Sequence, residues 1–236
     1  MALSGLKQIA GDFASLFFPT VCAACNGPLV RGEVAICTLC LMECPRTFDE
    51  HDPVDNPAAR AFWGRVQLQG AASLFVFTKG GKVQELIHNL KYNGRTDAGI
   101  AAGKLFGNEI KDLTPFNTID AVIPVPLHRD KLAKRRYNQA ACFGEGLASA
   151  MKIPQYEHGI LRLSATETQT KKNRNERWEN VEDVFTLNKK INLKGKHILL
   201  VDDVITTGAT IEACAIPILE LEGTKVSVIS LASARD

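Results

Sequence analysis

The segment from Ile198 to Thr210, ILLVDDVITTGAT, narrows the architectures open to this 236-residue chain more than any other stretch. Ile198 to Val201 read as a strand buried on both faces, Asp202 and Asp203 follow at its end, and Thr206, Thr207, Gly208, Ala209 and Thr210 open a helix that runs to Leu221. A buried strand that feeds a helix belongs to a largely parallel sheet with helices on both faces. The remaining pattern agrees. Strands are expected at Leu68–Thr78, Ile119–Val125, Val184–Leu187, His197–Val201 and Lys225–Leu231, and helices at Lys82–Tyr92, Ala98–Ile110, Asn138–Met151 and Ala209–Leu221. There is no internal repeat or low-complexity tract. Ligands of such sheets bind beyond the carboxyl ends of the strands, so the loops after Val125 and Val201 are the places to look for chemistry.

The loop after Val201 has the makings of an anion site. A helix N-terminus offers converging N–H groups and the positive end of its dipole. Gly208 permits the tight turn that lets backbone approach an anion, and the hydroxyls of Thr206, Thr207 and Thr210 can donate to it. Asp202 and Asp203 suit a different task, accepting hydrogen bonds from vicinal hydroxyls. Together these residues describe a site for a ribose carrying a phosphate. Simpler readings stand beside this one: Thr-Thr-Gly is a common strand-to-helix turn, paired acids can cap a helix, and they also occur in magnesium sites. The segment has no Gly-Lys-Thr, so it is not a Walker A loop. VDDVITTGAT resembles the signature of the type I phosphoribosyltransferases. That resemblance implies that Asp202 and Asp203 contact the ribose hydroxyls of phosphoribosyl pyrophosphate (PRPP) and that Thr206 to Thr210 wrap its 5-phosphate.

Two further segments carry positive charge. IDAVIPVP leads into Leu127, His128, Arg129 and Lys131 and on through Lys134, Arg135 and Arg136. This is either a solvated basic turn or a second anion loop. By the same resemblance, Leu127 to Lys131 would hold the pyrophosphate. The polar run from Ser164 to Asp183 contains Lys171, Lys172, Arg174 and Arg177 and shows no apolar periodicity. It resembles the flexible loop that closes over PRPP in type I enzymes, where closure would exclude water from a reactive cation. A basic surface loop is the plainer alternative.

Five of the seven cysteines fall between Cys22 and Cys44. Cys22, Cys25, Cys37 and Cys40 form two CxxC knuckles around an intervening GPLVRGEVAI. Two knuckles of this kind present four thiolates to one tetrahedral ion, so a structural Zn²⁺ is expected with no open coordination position. Cys44 is an alternative to Cys40 or a buried bystander. Cys142 and Cys214 lie in expected helices and read as core residues.

PVPLHRDKLAKRRYNQA, IHNLKYNGR, TQTKKNRNERWENVEDVF and VDDVITTGAT, behind an N-terminal cysteine module, resemble the ComF family over nearly the whole chain from Leu16 onward. The resemblance implies an α/β type I phosphoribosyltransferase fold, a mostly parallel sheet flanked by helices, with a small N-terminal zinc finger. The expected organisation is residues 1–48 for an N-terminal helix and zinc finger, 49–66 for a linker, and 67–236 for the phosphoribosyltransferase-like domain. The family is linked to natural competence and DNA uptake, and Mg²⁺ would accompany PRPP. The chain begins Met-Ala with no N-terminal cysteine nucleophile, so a glutamine-dependent reaction is not expected. The acceptor, and whether the protein turns over, stay open.

Composition excludes little. Lys and Arg number 28 and Asp and Glu 26, a net charge of +2, which suits local anion sites better than a uniformly basic DNA-coating surface. A non-catalytic protein that binds single-stranded DNA through the basic loops, Trp63 and Trp178 is the competing reading. No apolar run approaches the roughly 18 residues of a membrane span. The N-terminus lacks the features of a signal peptide, so a cytoplasmic location is expected. Leu3, Leu6, Ile9, Phe13, Leu16 and Phe17 are spaced as on an amphipathic helix, packed on its own protein or lying on a membrane surface.

Overall fold

The structure is a computed structural model that describes residues 20–163 and 185–234. The expected N-terminal helix, the basic residues Lys171, Lys172, Arg174 and Arg177, and Trp178 lie outside the described residues.

Four parallel strands form the central sheet: β1 (Gly70–Phe77), β2 (Ala121–Pro124), β5 (His197–Ile205) and β6 (Lys225–Ala234), in the order β1-β6-β5-β2. A two-stranded antiparallel ribbon, β3 (Ile160–Arg162) with β4 (Phe185–Leu187), stands apart from it. Among the described residues the α-helices are α1 (Thr38–Glu43), α2 (Pro57–Arg60), α3 (Lys82–Tyr92), α4 (Thr96–Ile110), α5 (Arg129–Arg135), α6 (Gln139–Met151) and α7 (Ala209–Leu219). Successive strand side chains alternate between the two faces of the sheet, and helices cover both faces. Leu199 and Val201 join Leu86, Leu90, Phe106 and Phe143 of α3, α4 and α6 in one core, while Ile198 and Leu200 join Ile211, Cys214 and Ile218 of α7 in the other. Cys142 and Cys214 are buried, as expected of core residues. Among the described residues no helix is long and apolar enough to cross a membrane.

β5 is longer than expected. Its apolar run ends at Val201, but pairing with β6 continues through Asp202↔Ser230, Val204↔Ala232 and Ile205↔Ser233. β6, ten residues long, supplies the partner that keeps this polar stretch extended. On the other side β2 stops at Pro124, opposite Val201.

The basic stretch after His128 is also not all loop. Arg129–Arg135 is helical and buries none of its residues, so it carries no apolar stripe by which periodicity could have revealed it. His128 is its N-cap, with Nδ1 accepting from the Asp130 N–H at 3.3 Å.

The stretch expected as a linker is packed against the sheet. β1 is an edge strand, and an unpaired edge needs cover. Segment 45–56 provides it: Val76 N–H donates to the Pro45 carbonyl (2.8 Å) and Ala71 N–H to the Pro53 carbonyl (2.8 Å), while Asn56 Nδ2 donates to the Ala71 carbonyl (2.7 Å). Asn56 also caps α2 through its Oδ1. Polar composition suggested a tether, yet those polar groups pair with the strand's free edge. Phe62, just beyond, is 1% exposed.

α4 and α6 meet almost backbone to backbone. A Cβ added at Gly103 would lie 2.1 Å from the Phe143 carbonyl oxygen and 2.9 Å from the Leu147 nitrogen, and one at Gly146 would lie 2.2 Å from the Ile100 carbonyl oxygen. Backbone atoms cannot rotate out of the way as a flexible side chain does. Gly103→Ala is therefore expected to destabilise the protein by about 1–3 kcal/mol, read as a lowered urea midpoint. The exposed control Lys104→Ala should leave that midpoint within roughly 0.5 kcal/mol of the parent.

Candidate functional site

All four central strands point the same way, so their carboxyl ends share one edge. The loop after β2 starts there: Val125 N–H donates to the Val201 carbonyl at 2.8 Å, next to Asp202. Asn138 holds this loop from behind. Its Nδ2 donates to the Val125 carbonyl (2.9 Å), while its Oδ1 accepts from the Ala140 N–H (3.1 Å) at the start of α6.

Asp202 and Asp203 sit side by side in β5 and fall on opposite faces of the sheet. Asp203 lies toward the α3 side, where its Oδ2 is 2.9 Å from Lys91 Nζ. Asp202 lies toward α7 and accepts the Asp203 N–H on its Oδ1 at 2.8 Å. Burial, and next the neighbouring Asp203 carboxylate, push the Asp202 carboxyl up to about 8. The ammonium groups of Lys91 and Lys131 draw it down but do not offset that burial. The sequence-identified Lys131 is thereby brought electrostatically to the acid pair. Leu127 is half-buried, while His128, Arg129 and Lys131 are exposed on the first turn of α5 and the residue before it.

Beyond Ile205 the chain turns through Thr206, Thr207 and Gly208 into α7. Gly208 is the N-cap, with φ of 75°, a left-handed value that favours glycine. A Cβ there would also meet the ring of Phe62 at 2.7 Å. Thr206, Thr207, Ala209 and Thr210 are exposed, so the N-terminal turn of α7 opens to solvent with three hydroxyls around it. Arg65 braces it from outside. Its Nη1 donates to the Thr207 carbonyl (2.6 Å) and its Nη2 pairs with the Glu212 carboxylate in the first turn of α7.

Three residues that sequence reasoning missed therefore shape this edge: Phe62, Arg65 and Lys91. Lys91 stands within the IHNLKYNGR stretch, but nothing about its spacing points at Asp203. Phe62 was the usable signal, a large aromatic beside Trp63 just beyond the polar stretch that ends at Arg60.

The cysteine module packs on the same core. Sγ atoms of Cys22, Cys25, Cys37 and Cys40 lie within 4.8 Å of one another, with Cys25 and Cys37 at 3.9 Å. Tetrahedral metal–sulfur bonds of about 2.3 Å put sulfurs about 3.8 Å apart, so the donor set fits a four-thiolate metal site. Backbone N–H groups point at the sulfurs, Cys37 N to Cys22 Sγ at 3.2 Å and Cys40 N to Cys37 Sγ at 3.4 Å. Burial raises the Cys22 thiol, but backbone donors from Cys37, Ala24 and Cys25 outweigh it and bring it to about 7. Cys44 lies outside the cluster, and burial pushes its thiol up to about 11. Of the two candidates for the fourth position, Cys40 is the one that converges.

Module and domain are joined at the knuckles. Asn89 Nδ2 of α3 donates to the Ala23 carbonyl (2.8 Å), Arg95 Nη1 donates to the Val21 carbonyl (2.8 Å), and Arg46 Nη1 donates to Glu109 Oε1 of α4 (3.1 Å).

Comparison with known proteins agrees with this geometry. Residues 139–236 match the phosphoribosyl transferase domain. The DNA utilization protein YhgH of Shigella flexneri is 26% identical over 210 residues, covering 85% of this chain and 91% of that one. The competence protein ComFC of Bacillus subtilis is 28% identical over 215 residues, covering 91% and 84%. Competence protein F of Haemophilus influenzae is 33% identical over 116 residues, covering 49% and 51%. With a parallel sheet flanked by helices and a four-cysteine cluster ahead of it, the chain has a phosphoribosyltransferase-like fold, and its likeness to these competence and DNA utilization proteins supports the resemblance to the ComF family.

Proposed function

We propose that this protein binds PRPP with Mg²⁺ across the carboxyl edge of its sheet and serves DNA uptake in natural competence, as the names of its relatives suggest. The observation that carries this reading is the meeting, at one edge, of the Asp202–Asp203 pair, the Gly208 turn that opens α7, and the basic first turn of α5. The N-terminal turn of α7, with Thr206, Thr207 and Thr210, takes the 5-phosphate through backbone N–H groups and hydroxyls. Asp202 and Asp203 accept from the two ribose hydroxyls. Leu127 to Lys131 lie against the pyrophosphate, where Arg129 and Lys131 stabilise negative charge as it builds on the leaving group. Bound Mg²⁺ supplies further neutralisation of the pyrophosphate oxygens. If transfer occurs, the C1–O bond to pyrophosphate breaks and an acceptor nucleophile takes C1; the chain's own contribution is positioning and electrostatics.

Calorimetric titration with PRPP and Mg²⁺ tests this. Binding in the micromolar to low-millimolar range is expected, and Asp202→Asn or Asp203→Asn should weaken it about tenfold or more, since a hydrogen bond to a charged group contributes about 1.5–3 kcal/mol. Absence of binding at millimolar PRPP, or variants equal to the parent, would refute it.

For the cysteine cluster we infer one structural Zn²⁺ held by Cys22, Cys25, Cys37 and Cys40. Metal analysis of the purified protein should give one equivalent. Cys25→Ser should lose the metal and lower the unfolding temperature, whereas Cys44→Ala should keep the metal. Loss of metal from the Cys44 variant alone would reassign the ligand.

A second reading, contact with single-stranded DNA, draws support from two exposed aromatics backed by arginine. Trp63 is 56% exposed with Arg60 stacked at 5.7 Å, and Tyr92 is 54% exposed with Arg135 stacked at 5.1 Å. Such stacks suit unpaired bases. Trp63→Ala combined with Tyr92→Ala should weaken binding of a fluorescent oligothymidylate at least tenfold, as expected from about 1–3 kcal/mol per stacked base. Unchanged anisotropy curves would count against this surface.

A further inference from the structure

The acid pair at the sheet edge has a cationic partner that lies outside the segments to which ligand contacts were assigned. Lys91 occupies the last turn of α3, and its Nζ lies 2.9 Å from Asp203 Oδ2, with the two side chains only 22% and 15% exposed. An ion pair this sheltered is held more firmly than a surface pair, because water competes with it less and loosens it less. The helix beneath it is fixed. Val83, Leu86, Ile87 and Leu90 are buried in the core, and Asn89, two residues before Lys91, is tied to the Ala23 carbonyl of the first cysteine knuckle at 2.8 Å. Lys91 is therefore delivered to Asp203 by a helix that can hardly shift.

We infer that Lys91 is a positioning residue of the phosphoribosyl site, holding the Asp203 carboxylate in place through their ion pair so that the acid pair can accept the ribose hydroxyls; the inference rests on the PRPP reading above. The neighbouring Asp203 carboxylate disfavours the ionised form of Asp202, and nearby cations offset that repulsion. A protonated carboxyl presents an O–H where the ribose requires an acceptor. The charged and titratable groups that face the pair come from each element packed around it: Lys91 from α3, Lys131 from α5 and Cys214 from α7. On β6, Ser230 stands in register with Asp202 and directs its hydroxyl to the Ala232 carbonyl at 2.8 Å. Lys91 is the only one of these for which a direct ion pair with the acids is formed among the described residues. With both lysines present burial holds the Asp202 carboxyl at about 8, so removing one of them moves Asp202 further toward the protonated form at neutral pH.

The test is calorimetric titration of the full-length protein with PRPP and Mg²⁺ between pH 6.5 and 9.5, for the parent, Lys91→Met, Lys91→Arg and the exposed control Lys104→Met. Circular dichroism and thermal unfolding establish that each variant is folded. Lys91→Met should bind about tenfold or more weakly at pH 7, with its affinity recovering toward the parent's as pH rises, so that its pH profile is displaced upward. Lys91→Arg should restore most of the affinity, and Lys104→Met should match the parent. A Lys91→Met protein with the parent's affinity and pH profile overturns the inference while the PRPP reading stands. A loss that is equal at every pH and not rescued by arginine also overturns it, since that is what simple damage to the fold would give. A parent that binds no PRPP removes the PRPP reading itself, and the Lys91 inference with it.

Discussion

The arrangement at the sheet edge depends on one mismatch in strand length. β5 is paired on both sides up to Val201, but β2 ends opposite that residue while β6 continues alongside β5 to Ile205. The last residues of β5 are therefore kept extended by one neighbour and left open on the other side. Carboxylates can occupy that half-open stretch, whereas Ile198 to Val201, flanked by two strands and two layers of helices, are fully buried. Asp202 and Asp203 fall where the change occurs. Burial remains high enough there to push the Asp202 carboxyl to about 8, and the loop from β2 begins beside it.

From that edge, rigidity can be followed back to the cysteine module. α3 lies between them. Its Asn89 takes hold of the Ala23 carbonyl at the first knuckle, and Arg95, just beyond the helix, reaches Val21. On the far side Lys91 meets Asp203. The buried cysteines share a continuous core with Leu86, Leu90 and Phe106, so the module is part of the wall against which α3 is set. A small module of this kind contributes little apolar area of its own, and a bound metal would provide much of its order. The phosphate loop is braced separately, by Phe62 under Gly208 and Arg65 on the Thr207 carbonyl.

Where apolar spacing is regular, the elements were legible before the structure. Lys82–Tyr92 is helical over the expected residues, and Asn138 caps the helix expected to start there. Reading failed where the determinant lay elsewhere in the chain. Arg129–Arg135 forms a helix with no buried face, so no periodicity marks it. The residues from Asp49 to Arg60 look like a tether by composition, but the free edge of β1 recruits them. The two ends of the β5 segment show both cases. The Gly208 turn was legible because a left-handed cap favours glycine locally, whereas the extension of β5 to Ile205 depends on the length of β6, about 20 residues later in the chain.

By itself the sequence determined the chemistry on offer: two carboxylates at a strand end, a threonine-rich turn into a helix, a basic run after a second strand, and four cysteines in two knuckles. Local spacing and residue type are enough for each of these, because each is built from neighbours along the chain. Only the tertiary structure decided what faces what. It set Lys91 against Asp203 across 112 positions (203 − 91), brought Arg65 to Thr207, and selected Cys40 over Cys44 for the sulfur cluster. Those choices follow from how helices pack on the two faces of the sheet; the apolar stripe of a helix marks the face that packs, but not which polar side chains elsewhere in the chain that packing brings together.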